Sequence, residues 1–292
     1  RYPVLYLLHG NGSHNTLWTE GLIQGMNIKA SMDSLISADI IREMILVLPD
    51  AYNLYCGSHY VNSSTTGNWA DFITRDLVQY IDSTYRTIRN SNSRGLSGHS
   101  MGGRGTLYLA MSYPGIFGAI YGLSSGQMDF SETLQPPENP EWWSTLLTFQ
   151  DINQAAKEAD WAMVRMVGLA AAFTPNPNRP PFYADFQYKL VDGQVQPVPD
   201  VWRKWLAYDP VALVSSYEAN LRQLRGIRFD CGMSDQLVIN NNRAFARELS
   251  EAGIPFEFEE YDGNHSNRIR ERIETRVLPF FSDILEFIPS NK

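Results

Sequence analysis

The sequence is short of cysteine, of positive charge and of long apolar runs, and each shortage removes a class of protein. Two cysteines in 292 residues, Cys56 and Cys231, cannot build a disulfide framework or a cysteine-only zinc site. One bridge could join them, but two separate thiols is the simpler expectation. Lys and Arg number 24 against 32 Asp and Glu, a formal charge of −8. A protein that grips phosphate backbones needs the opposite sign, so nucleic acid is not an expected partner. No stretch reaches the roughly 18 to 20 apolar residues that span a bilayer. Arg1-Tyr2-Pro3 has none of the charged, apolar and small-residue regions of a secretory leader. The compartment stays open between cytoplasm and secretion.

What is present is a core. Hydrophobic residues are 43% and aromatics 12% of the chain, enough to fill one large domain. Short apolar runs stop at turn residues at Val4–His9, Met44–Pro49, Arg94–Ser97, Phe117–Leu123, Gly226–Cys231 and Phe256–Tyr261. The first two do not alternate, as expected for strands covered on both faces of a parallel sheet. Helical spacing lies between them. Trp69, Ile73, Leu77, Tyr80 and Ile81 share one face over 69–85. Further helices are expected after Ser100, over 238–252, and from Ile269 to Ile288, the last kinked or divided at Pro279. Strands alternating with helices imply an α/β domain with a mostly parallel sheet. Residues 126–205 break the rhythm. No core strand is evident there, and Trp142, Trp143, Trp161, Trp202 and Trp205 fall in or at the end of it. This segment reads as an insertion on a single domain.

The sharpest local feature is Gly98-His99-Ser100-Met101-Gly102-Gly103, which fits G-x-S-x-G. A strand precedes it and an apolar-periodic helix follows, the setting of a nucleophile elbow. The glycines admit close backbone approach, and the turn holds the Ser100 hydroxyl at a helix N-terminus, where developing negative charge is favoured. A hydroxyl at neutral pH needs a base. Of five histidines, His265 follows Ser100 on a loop after a strand, the place a triad histidine takes in this architecture. His99 should point away from the hydroxyl and be structural. His9 reads as a loop organiser, and His14 and His59 as surface residues. The acid should follow a strand between serine and histidine. Asp235 fits, ahead of Asp230 within its strand and Asp262 in the histidine's own turn. Two backbone N–H groups should hold an oxyanion: Met101, and Asn11 in His9-Gly10-Asn11-Gly12, with Gly10 and Gly12 as alternatives.

Tyr2–Gly10 (YPVLYLLHG), Val47-Leu48-Pro49-Asp50, Gly98–Gly103 (GHSMGG), and the Asp235 and His265 loops occur in order. Together they resemble the putative-esterase family of α/β-hydrolases, which includes esterase D, feruloyl and acetylxylan esterases and the antigen 85 mycolyltransferases. The resemblance covers about residues 1–125 and 205–288. It implies an α/β-hydrolase fold, a triad of Ser100, Asp235 and His265, oxyanion donors at Met101 and after His9-Gly10, and no cofactor or metal. The chain departs from the family pattern in two places. The strands that usually precede the His-Gly strand are missing, and residues 126–205 are longer than in a minimal member.

The expected activity is serine-dependent hydrolysis of a small-molecule carboxylic ester through an acyl-enzyme. The alternatives are an acyltransferase of the mycolyltransferase type, a thioesterase acting on S-formylglutathione, and a binding protein on the same fold. The insertion should form a cap over the site. Trp142, Trp143, Trp161, Phe182, Tyr183 and Trp205 are candidates to line an apolar pocket suited to aromatic or sugar-linked esters, or else to pack the cap's own core. The sheet should have about six strands, with Met44–Pro49 on an open edge through which copies could pair.

Overall fold

The computed structural model describes residues 1–130 and 140–287. Six strands form one sheet: β1 (Val4–Leu8), β2 (Ile45–Val47), β3 (Arg94–His99), β4 (Ala119–Leu123), β5 (Gly226–Gly232) and β6 (Glu257–Tyr261). Their order is β6-β5-β4-β3-β1-β2, and every pairing is parallel. All six expected strands are present, and Ile45–Val47 lies at an edge. Side chains alternate across β1. Val4, Tyr6 and Leu8 enter one apolar core, while Leu5 and Leu7 enter another on the opposite face. The sheet is therefore covered on both sides, which is why β1 reads as an unbroken apolar run.

Two helices differ in detail from expectation. The one over 69–84 is continuous but contains a π turn at Phe72–Asp76, and Tyr80 faces solvent instead of the core. The last helix runs past Pro279. A π turn at Ile273–Val277 precedes the proline, with the Leu278 N–H bonded to the Ile273 carbonyl, and the final stretch is Leu278–Ile284. The wider turn makes room where a proline ring would otherwise meet the preceding turn. Ile288 lies outside the described residues.

Among the described residues, no strand of the segment 126–205 joins this sheet. Tyr188–Val191 and Gln194–Pro197 pair only with each other, antiparallel. Helices Pro140–Leu146, Ile152–Glu158, Trp161–Phe173 and Pro199–Trp205 surround a third apolar core. Asp151 and Asp160 start two of these helices by accepting from the N–H groups of Gln154 and Met163. Trp143, Phe173, Phe182, Trp202 and Trp205 fill the core through mostly edge-on ring contacts such as Phe173–Trp205 at 5.3 Å. Among the described residues no helix is long and apolar enough to cross a membrane.

Candidate active site

Ser100 stands between the end of β3 and the helix Met101–Ser112, with φ 58° and ψ −116°. That backbone is strained for a residue with a side chain, and the surroundings enforce it. The Ser100 N–H donates to the Leu123 carbonyl at 3.0 Å, and its own carbonyl accepts from Gly126 and Arg104. A Cβ on Gly98 would lie 2.4 Å from Gly102 backbone atoms, and one on Gly102 would lie 2.4 Å from the Leu8 carbonyl oxygen. The turn can close this tightly only with glycine at both positions.

Ser100 Oγ lies 2.9 Å from His265 Nε2, and His265 Nδ1 lies 2.7 Å from Asp235 Oδ2. With Nδ1 donating to the carboxylate, Nε2 is left to accept from the Ser100 hydroxyl. Asp235 follows β5 and is buried. Its other oxygen, Oδ1, accepts from the Leu237 N–H at 3.3 Å. His265 follows β6 in a loop held by Asn264 and Asn267. Asn264 Oδ1 accepts from the N–H groups of Ser266 and Asn267, and Asn267 Oδ1 accepts from the Asn264 N–H. A Cβ on Gly232 would lie 2.3 Å from the Gly263 carbonyl oxygen, so the acid and histidine loops touch through bare backbone.

The competing acids are elsewhere. Asp230 Oδ2 accepts from Tyr121 Oη and Arg272 Nε inside the core, and Asp262 is exposed. His99 has the expected supporting part. Its Nε2 donates to the His265 carbonyl at 2.8 Å. Burial and the adjacent His265 ring push the His99 imidazole down to about 3, so it stays neutral. His9 ties two loops. Its Nε2 accepts from the Ala51 N–H at 2.9 Å, its Nδ1 donates to the Gly10 carbonyl, and burial lowers its pKa. His14 is on the surface beside Asp50. His59 is not. It is fully buried, and neither ring nitrogen has a hydrogen-bond partner. Burial, with Arg104 and Arg165 nearby, holds its pKa well below the ordinary value. The polar residues around it in the sequence suggested a surface loop, but the chain turns inward there under helix Trp161–Phe173, and the ring packs 5.5 Å from Phe173. Both cysteines are free.

The loop after β1 faces Met101. Asn11 Nδ2 lies 3.7 Å from Met101 Sδ. The Gly12 N–H is already committed to the Cys56 carbonyl at 2.6 Å, which removes Gly12 as an oxyanion donor and favours Asn11 over it.

The six aromatic candidates divide. Trp143, Phe182 and Trp205 are fully buried within the third core. Trp205 Nε1 donates to Thr174 Oγ1. Trp142 stacks on Trp143 and donates to Asp160. Tyr183 is 45% exposed beside Thr65, which donates to its carbonyl. Trp161 approaches the Asn11 loop: it is 53% exposed, with Nε1 3.5 Å from where a Gly12 Cβ would be. Arg104 was missed from sequence. It is fully buried, donates to the carbonyls of His59 and Tyr208, and lies 4.6 Å from the Phe173 ring. Burial lowers its pKa to about 10. It joins the helix behind Ser100 to the third core. Its signal was a lone charge among small and apolar residues, Met101-Gly102-Gly103-Arg104-Gly105.

Comparison with known proteins gives the family and the fold. The family described as "Putative esterase" matches residues 1–269. An endo-1,4-beta-xylanase/feruloyl esterase of Xylanibacter ruminicola is 33% identical over 142 residues, 47% of this chain and 18% of that protein. An esterase of Mycobacterium tuberculosis is 26% identical over 272 residues, 90% of this chain and 48% of that protein. The chain thus spans half or less of the length of these relatives. Among solved structures, a ferulic acid esterase superposes with a TM-score of 0.66 at 23% identity, covering 97% of this chain and 86% of that one. An S-formylglutathione hydrolase of Staphylococcus aureus gives 0.59 at 18% identity, covering 97% and 84%. At these identities the superpositions speak for the fold, an α/β-hydrolase-type sheet flanked by helices.

Proposed function

We propose that this chain, which belongs to the "Putative esterase" family, hydrolyses carboxylic esters through a serine acyl-enzyme. The observation that carries the mechanism is the continuous run from Ser100 Oγ to His265 Nε2 at 2.9 Å and from His265 Nδ1 to Asp235 Oδ2 at 2.7 Å. Ser100 Oγ attacks the ester carbonyl as its proton passes to His265 Nε2. Asp235 steadies the imidazolium and fixes the tautomer. The N–H groups of Met101 and Asn11 receive the oxyanion. His265 then protonates the leaving alkoxide. Water, deprotonated by the same nitrogen, releases the acid and restores Ser100. The acid is neither free to rotate nor open to water, because Asp235 is buried and held at Oδ1 by Leu237.

The substrate reading is an ester with an aromatic acyl group. It is supported by the position of Trp161 beside the Asn11 loop and by the likeness to a relative whose name includes feruloyl esterase. Residues 126–205 act in it as a cap, with Trp161 at the lip and Trp143, Phe182 and Trp205 as its internal packing. The test is an ester panel from acetate through octanoate to ferulate. Wild type should favour the feruloyl ester, and Ser100→Ala should abolish turnover of all of them. Unchanged turnover in Ser100→Ala overturns the serine mechanism. A flat preference across acyl groups overturns the aromatic reading alone.

A further inference from the structure

Helix Trp161–Phe173 turns one face toward the loops beside Ser100. Trp161, Arg165 and Gly168 are spaced i, i+4 and i+7, so they lie in one row on that face. The row's two ends are fixed by contact. At one end, Trp161 Nε1 is 3.5 Å from the Gly12 Cβ position. At the other, a Cβ on Gly168 would lie 2.2 Å from the Tyr55 carbonyl oxygen. Between these loops the Gly12 N–H bonds the Cys56 carbonyl, and Asn11 Nδ2 is 3.3 Å from the Gly57 Cβ position. Arg165, in the middle of the row, therefore faces the backbone that carries Asn11.

The Arg165 side chain is half-buried, with its guanidinium 5.0 Å from the Trp161 ring centre. Nε is shut off from solvent without a hydrogen-bond partner. Among the described residues no carboxylate lies within ion-pair distance of it. The buried His59 is close enough for the Arg165 charge to help keep it neutral. A desolvated guanidinium without a counter-charge is costly, and such groups are ordinarily paired. The protein carries a net −8, which at long range repels anions. A cation on the helix row that meets the Gly12 and Tyr55 loops would offset that repulsion for one kind of substrate.

We propose that Arg165 is a specificity-determining residue that gives the site an anion-binding subsite, selecting esters that bear a carboxylate on the acyl part. The inference rests on the serine-esterase reading above and is independent of the aromatic-acyl reading, since a feruloyl acyl group carries no free carboxylate. A guanidinium recognises a carboxylate by paired N–H donors, a geometry an ammonium cannot copy.

The test uses two 4-nitrophenyl esters of equal chain length, the hexanoate and the hemiadipate, which differ only in a terminal carboxylate. The measured quantity is the ratio of kcat/KM for hemiadipate to that for hexanoate. Arg165→Met should lower that ratio about tenfold, chiefly through KM of the hemiadipate. Arg165→Lys should restore part of it. Raising the salt concentration should lower the ratio of wild type and leave that of Arg165→Met flat, a readout that needs no variant to fold for the wild-type half. A ratio unchanged by Arg165→Met, or a wild-type ratio insensitive to salt, overturns the subsite while leaving the esterase reading intact. If wild type turns over neither ester, the esterase reading falls and the subsite with it.

Discussion

Replacing Asp235 by asparagine should disable the site without unfolding the protein, and the structure says by which route. Asp235 Oδ1 accepts from the Leu237 N–H at 3.3 Å, and Oδ2 accepts from His265 Nδ1 at 2.7 Å. In Asp235→Asn the amide oxygen must take the Oδ1 position, because an NH2 group there would face the Leu237 donor. The NH2 group is then aimed at His265 Nδ1. That nitrogen must become an acceptor, so the ring proton moves to Nε2, where it opposes the Ser100 hydroxyl at 2.9 Å. The base is present but in the wrong tautomer. The comparable change in serine proteases costs about 10⁴ in kcat, which corresponds to roughly 5 kcal/mol of activation free energy. Steady-state hydrolysis of a 4-nitrophenyl ester measures the loss, and ¹⁵N spectra of His265 report which nitrogen carries the proton. A variant retaining more than about a tenth of wild-type kcat, or still protonated at Nδ1, refutes the reasoning.

Three further outcomes are expected. His59 is buried, unbonded and held neutral, whereas in the unfolded chain it takes up a proton below about pH 6.5. Its folded pKa is depressed, so the stability it permits is present above that pH and lost as pH falls. His59→Gln should therefore shrink the drop in unfolding free energy between pH 8 and pH 5 by about 2 kcal/mol, measured by denaturant titration at both pH values, and an identical drop in both proteins sinks the argument. Gly102→Ala places a Cβ 2.4 Å from the Leu8 carbonyl oxygen and 2.8 Å from that of His9. Backbone on both sides cannot yield, so thermal unfolding should show a loss of about 3 kcal/mol or more, with near-wild-type stability as the contrary result. Trp161→Ala should raise KM for feruloyl esters roughly tenfold more than for acetate, and an equal rise for both would remove Trp161 from the acyl pocket.

Much of the fold was legible because the forces that set it are local in sequence. Strands covered on both faces must be apolar at every position, so Val4–Leu8 is readable as five apolar letters. The elbow was readable because close backbone approach admits only glycine at Gly98 and Gly102. Asp235 and His265 were readable because each follows a strand, and parallel strands deliver their C-terminal loops to one edge. The reading failed where neighbours distant in sequence decide. Three polar or flexible residues, Cys56-Gly57-Ser58, precede His59 and suggest a loop in water, yet a helix more than 100 residues later covers that ring. Pro279 suggested a break, but the π turn before it absorbs the strain. The aromatic set could line a pocket or pack its own core, and Trp143, Phe182 and Trp205 are buried in that core while Trp161 and Tyr183 are exposed.

By itself, then, the sequence determined the parallel α/β sheet, the order of Ser100, Asp235 and His265 along it, and the tight turn that exposes the serine. These follow from side-chain size, strand burial and chain order, which one dimension can record. Only the tertiary structure decided that Gly12 is spent on Cys56 and Asn11 is left facing Met101. It also decided that His99 holds the carbonyl of His265, and that Arg165 Nε is buried without a hydrogen-bond partner. Those outcomes depend on which loops, distant in sequence, meet beside Ser100. Hydrogen bonds and counter-charges are satisfied in space, by partners that the local sequence does not contain.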